Sequence, residues 1–126
     1  MTDANKREIG AVGEREAAEF LQRNGYTILK INYRVGRLGE IDIIANDNEY
    51  ICFIEVKTRR TSTFGSPGEA VTKTKQQKIR QIAAIYLTNT RKMDSNVRFD
   101  VIEILMNKSM ESVNSIKSIN LIKDAF

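Results

Sequence analysis

The chain of 126 residues carries 20 Lys and Arg against 16 Asp and Glu, is 41% hydrophobic, and suits a single domain over residues 1–126 with a sizeable core. It contains no His, so a Ser-His-Asp or Cys-His pair and a His-ligated zinc are excluded, and its one Cys, Cys52, builds neither a thiolate zinc site nor an internal disulfide. A lone thiol, a polar start at Met1 to Arg7, and apolar runs far short of the roughly 20 residues of a membrane span predict a cytoplasmic protein.

From Lys6 to Asn24, the residues Ile9, Val12, Gly13, Ala17, Phe20 and Leu21 recur at helical spacing. Asp3 can cap the start, and Gly25 suits the left-handed position that ends the helix. Glu14 then sits on the flank of the apolar stripe. Three strands follow: Tyr26 to Tyr33, with Leu29, Ile31 and Tyr33 alternating, then Ile41 to Ala45, then Tyr50 to Val56. The short polar link Asn46 to Glu49 predicts an antiparallel hairpin between the second and third. A second helix carries Ile79, Ile82, Ala83, Tyr86 and Leu87 on one face. Two starts fit it, a capping box at Ser66, Pro67 and Glu69 or a cap at Thr72. Val97 to Leu105 and Ile116 to Ile122 read as further strands. The order αβββαββ predicts an α/β fold with a mixed sheet of about five strands flanked by helices.

Basic residues concentrate between Lys57 and Arg80, where seven face the single acid Glu69. The stretch reads either as a solvated face or as a polyanion-binding surface, with Arg59, Arg60, Lys73, Lys75, Gln76 and Lys78 as its candidate phosphate contacts. Gln76 and Lys75 fall at the start of the second helix, where the helix dipole also favours negative charge. Arg98 and Asp100 share a strand face and are expected to pair structurally. Cys52, Tyr86 and Phe99 lie in apolar patterns and are expected in the core.

The carboxylates narrow the choice. Alternation sets Glu55 and Lys57 on one face at the end of the third strand, and the hairpin brings Asp42 opposite or diagonal to Glu55. Asp42 stands in an otherwise apolar run, where an unpaired charge is costly and points to function. Two adjacent carboxylates with few other donors suit Mg²⁺ or Mn²⁺ completed by water and phosphate, and Lys57 is placed to orient or deprotonate a water or to neutralise charge on phosphate. Glu40 shares the face of Asp42 and is a secondary candidate.

Gly13-Glu14, Gly39-Glu40-Ile41-Asp42, Phe53-Ile54-Glu55-Val56-Lys57-Thr58-Arg59, Phe64-Gly65, Ala70-Val71 and Arg98-Phe99-Asp100 together resemble the YraN-type family of small bacterial proteins, nearly along the whole chain. That family is similar to the PD-(D/E)XK nucleases, with their restriction-endonuclease-like fold, and to archaeal Holliday junction resolvases; Ile41 stands where the motif name has proline. The resemblance implies Asp42 as principal metal ligand, Glu55 as second, the Val56 carbonyl as third, Lys57 as catalytic lysine and Glu14 as an outer or second-metal ligand. It implies a Mg²⁺- or Mn²⁺-dependent endonuclease acting on DNA, including branched substrates, for which a homodimer would suit symmetric cutting. The alternatives are a nucleic-acid-binding module that cuts nothing and, further off, a protein-interaction domain.

Overall fold

A computed structural model describes residues 3–59, 71–106 and 116–126, with side chains from residue 10 onward. Helix α1 (Asp3–Arg23) leads to strands β1 (Thr27–Val35), β2 (Gly39–Asp47) and β3 (Tyr50–Arg59), then helix α2 (Lys73–Asn89) and strands β4 (Asn96–Met106) and β5 (Ile116–Ile122). The expected Ile9 contact, the Ser66, Pro67 and Glu69 box, Arg60, Phe64-Gly65 and Ala70 lie outside the described residues.

The strands form one sheet in sequence order, β1-β2-β3-β4-β5. All neighbours are antiparallel except β3 and β4, which run parallel. A parallel pair needs a long return path, and α2 lies on it. This α/β arrangement of a five-stranded mixed sheet with two helices has the expected order αβββαββ and is consistent with a restriction-endonuclease-like fold. No helix among the described residues is long and apolar enough to cross a membrane.

Each helix covers one face of the sheet. Ala17, Ala18 and Leu21 of α1 pack on Ile43, Ala45, Cys52, Ile54, Ile102 and Ile104. Ile79, Ile82, Ala83 and Tyr86 of α2 pack on Ile44, Phe53 and Val101 opposite. Buried from both sides, β3 is apolar without a break from Ile51 to Ile54, as a central strand must be.

Local chemistry sets the ends. Gly25 takes φ 87° and closes α1, with its N–H donating to the Gln22 carbonyl at 3.1 Å and that of Tyr26 to the Leu21 carbonyl at 3.0 Å. The helix already includes Asp3, expected to precede it as a cap. Of the two starts open for α2, Thr72 caps it, its Oγ1 accepting the Lys75 N–H at 3.2 Å. Strand β1 departs from expectation. A register shift between Ile28 and Lys30 and a left-handed Asn32 (φ 54°) break the alternation, so Leu29 and Tyr33 face α2 while Ile31 is 48% exposed.

Away from the carboxylate cluster described next, Arg98 donates from Nε to both oxygens of the fully buried Asp100 at 3.0 Å and from Nη2 to the Tyr26 hydroxyl at 2.8 Å. Asp47 lies 3.1 Å from the same guanidinium, and the Asp124 N–H donates to Asp100 at 2.8 Å. Arg98 and Asp100 therefore pair, as expected, and tie β4 to β2 and to the C-terminal turn. Cys52 is buried in the core as a small apolar residue, and its thiol is pushed up to about 12 by desolvation.

Candidate active site

The β2–β3 ladder ends at the pair Ile43 and Ile54. One step further the same register sets Asp42 opposite Glu55, and there a side chain replaces the missing backbone partner: Asp42 Oδ2 accepts the Val56 N–H at 2.8 Å. Strand pairing thus delivers Asp42 to the end of β3, and the amide locks its carboxylate. Glu55 shares the face of Phe53, beneath α2, and is only 6% exposed.

A lysine from α2 meets it. Lys75 Nζ lies 2.5 Å from Glu55 Oε1, and Lys57 Nζ lies 3.9 Å from the same oxygen. Glu14 enters from the other layer. Gly13 is buried against Thr58 of β3, where an added Cβ would fall 2.1 Å from Thr58 Oγ1, so only glycine lets α1 approach the strand end so closely.

The charges betray this crowding. Desolvation, then the neighbouring Glu55 and Glu14 charges, push the Asp42 carboxyl up to about 7 against the opposing Val56 amide and Lys75. Glu14 is also raised, first by burial and then by Glu40 and Glu55, while a hydrogen bond from the Asn32 side chain opposes the shift. Lys57 is lowered by burial and by the adjacent Lys75 charge. Burial disfavours the Lys75 ammonium too, but its bond and attraction to Glu55 outweigh that and raise it.

Among the described residues no three Asp, Glu, Cys or His side chains converge as a metal cage. Asp42 and Glu55 do provide a two-carboxylate set, which fits Mg²⁺ or Mn²⁺ because these ions commonly take one or two protein carboxylates and keep water or phosphate elsewhere. Glu14 stands near the pair electrostatically without completing a three-ligand group.

The expected phosphate contacts divide. Lys73 and Lys78 are exposed on α2. Lys75 points inward to Glu55, and Gln76 Nε2 donates to the Val71 carbonyl at 2.9 Å, so its amide serves the start of α2. Arg59 Nε lies 3.4 Å from Glu103 Oε2 and is engaged in the fold. Glu103 was not among the sequence candidates, yet it is buried on β4 in register with Lys57. The signal that singles out Asp42, a carboxylate inside an apolar run, applies equally to Glu103 between Val101 and Met106. Asn32, also missed, holds Glu14 from a left-handed position that asparagine tolerates better than most residues.

The profile of the uncharacterised protein family UPF0102 matches residues 13–104, which include Glu14, Asp42, Glu55, Lys57 and Lys75. Among similar proteins, the UPF0102 protein of Acetivibrio thermocellus is 50% identical over 122 residues, covering 97% of this chain and 93% of the relative. That of Caldicellulosiruptor saccharolyticus is 47% identical over 122 residues, covering 97% and 99%. That of Clostridium kluyveri is 47% identical over 120 residues, covering 95% and 94%. With the family profile matching residues 13–104 and these relatives aligned along 95–97% of the chain, the chain belongs to the UPF0102 family, the YraN family of its sequence resemblance.

Proposed function

We propose that this protein is a Mg²⁺- or Mn²⁺-dependent endonuclease that hydrolyses phosphodiester bonds in DNA. One observation carries the reading: Asp42 and Glu55 face each other where the β2–β3 ladder ends, with Lys57 and Lys75 beside them. Opposed, partly desolvated carboxylates are costly unless a cation lies between them, and the raised Asp42 carboxyl is the mark of that cost.

Asp42 and Glu55 would hold the ion, with Glu14 as an outer acceptor and the Val56 backbone fixed beside them by its bond to Asp42. The bound ion would polarise the phosphate and strengthen water as a nucleophile. Lys57 lies on the same face, and its lowered pKa suits it to accept a proton from the attacking water or to neutralise charge developing on the phosphate. Exposed Lys73 and Lys78 would hold the DNA backbone.

The test is cleavage of single-stranded, duplex, flap and four-way DNA, and of RNA, with Mg²⁺ or Mn²⁺. Wild type should give products that Asp42→Asn and Lys57→Gln do not, while both variants fold and bind. Cleavage by Asp42→Asn at the wild-type rate would overturn the assignment. A second reading, a binding module that cuts nothing, is favoured by the Lys75–Glu55 pair, which already neutralises one carboxylate without a metal. It expects binding that falls steeply with salt and no product at any divalent concentration.

A further inference from the structure

A cavity of about 440 Å³ adjoins the carboxylates between the β1–β2 turn and the first half of α2. Its walls differ in chemistry. Half-buried Leu38 supplies aliphatic surface above the nearly covered Ile79 and Ile82, Thr72 and Thr74 add hydroxyls, and Arg37 from the turn and Lys78 from α2 supply positive charge. Both cations are exposed, and among the described residues neither has an ion-pair partner. The far end is shared with the candidate active site, because Lys75, which holds Glu55, and Glu40, whose charge reaches Glu14, line it as well. Gly39 takes φ 130°, a backbone that favours glycine, and brings the turn against α2, where its Cβ would stand in ordinary contact 3.7 Å from Ile82 Cδ1.

We infer that this groove binds one unstacked nucleotide of the substrate strand, next to the phosphate at Asp42 and Glu55. The inference rests on the nuclease reading for the identity of that phosphate, but its own support is the groove. Leu38 flanked by two exposed cations that have no ion-pair partner among the described residues complements a ligand that has a flat apolar face and an anionic edge, and 440 Å³ lies within the usual range for a site of small-molecule size. In a continuous duplex both faces of each base are covered by its neighbours, so only a base at a single-stranded segment, an end or a branch can rest on side chains. Leu38 meets the face of a base rather than its edge, so the groove selects unstacked over stacked strands.

Binding separates this inference from catalysis. A fluorescent 15-mer of thymidylate, and the same strand in a duplex, are titrated by anisotropy with full-length protein in EDTA across a range of KCl. Wild type is expected to bind the single strand more tightly. The Arg37→Ala/Lys78→Ala double variant should flatten the slope of log K against log salt by about 1.4, the loss of two single-strand phosphate contacts. Leu38→Ala should weaken binding by about tenfold with the slope unchanged, since it removes apolar contact only. Lys92→Ala, exposed beyond the other end of α2, should change nothing. An unchanged slope in the double variant, or equal affinity for duplex and single strand, overturns the groove. If wild type binds as expected but yields no product with Mg²⁺ or Mn²⁺, the nuclease reading fails and the groove stands; if wild type binds no DNA, both fall.

Discussion

Replacing Asp42 by Asn should make the metal-free protein more stable at pH 8. In the folded chain this carboxyl is pushed from its ordinary 3.8 up to about 7, chiefly by desolvation and then by Glu55. The native state therefore binds a proton that the unfolded chain has released, and stability falls as pH rises from about 4 to about 7, with the loss complete above that window. At about 1.4 kcal/mol per pH unit the ceiling of the penalty is about 4 kcal/mol, and partial solvation of Asp42 brings the expected gain for Asn to about 2 kcal/mol. Asn keeps a carbonyl oxygen for the Val56 N–H, now bonded at 2.8 Å, and removes only the charge. For a domain of this size that corresponds to a melting temperature higher by roughly 6–10 °C at pH 8, vanishing toward pH 4. Asp42→Ala should fall below Asn at every pH, because an amide left without an acceptor costs about 1–3 kcal/mol. Thermal melts of the three proteins in EDTA at pH 4.5, 6 and 8 measure this. A wild type and Asn variant that melt together at pH 8, or differ equally at every pH, would refute the reasoning.

Lys75→Met removes the cation at 2.5 Å from Glu55 and should lower stability in EDTA by about 1–2 kcal/mol, as the lysine side chain is 43% exposed; Mn²⁺ should then raise the melting temperature of the variant more than that of wild type. Gly13→Ala forces a methyl to within 2.1 Å of Thr58 Oγ1 and should cost about 1–3 kcal/mol by urea unfolding, most of it recovered by adding Thr58→Ala. Tyr26→Phe deletes the hydroxyl that accepts from Arg98 at 2.8 Å and should cost about 1 kcal/mol, with the fold and any DNA binding retained.

Much of the architecture was legible because its causes are local. The apolar stripes of both helices, the Asn48 turn, Gly25 and Thr72 each act through residues a few positions apart, and each element expected from them is present. Asp42 announced itself as a charge in an apolar run, and the hairpin put it opposite or diagonal to Glu55, a choice the strand register then settles as opposite. Where counting failed, a single residue was the cause: the irregularity after Ile28 and the left-handed Asn32 turn Ile31 outward, and a period-two pattern carries no sign of an added residue.

The partners of the charges came only with the tertiary structure. Lys75 reads in sequence as a cation on a helix face and Arg59 as a basic residue beyond a strand, yet one holds Glu55 from twenty residues away and the other pairs with Glu103 on the next strand. Those meetings depend on how α2 crosses the sheet, which the burial of Ile79, Ile82 and Tyr86 against Phe53 and Val101 decides. The groove beside the carboxylates has the same origin, since its walls come from a turn and a helix more than thirty residues apart. Periodicity encodes which face of an element is buried; which charges then meet across the interface is fixed by the packing of one element on another, and that is a property of the assembled core.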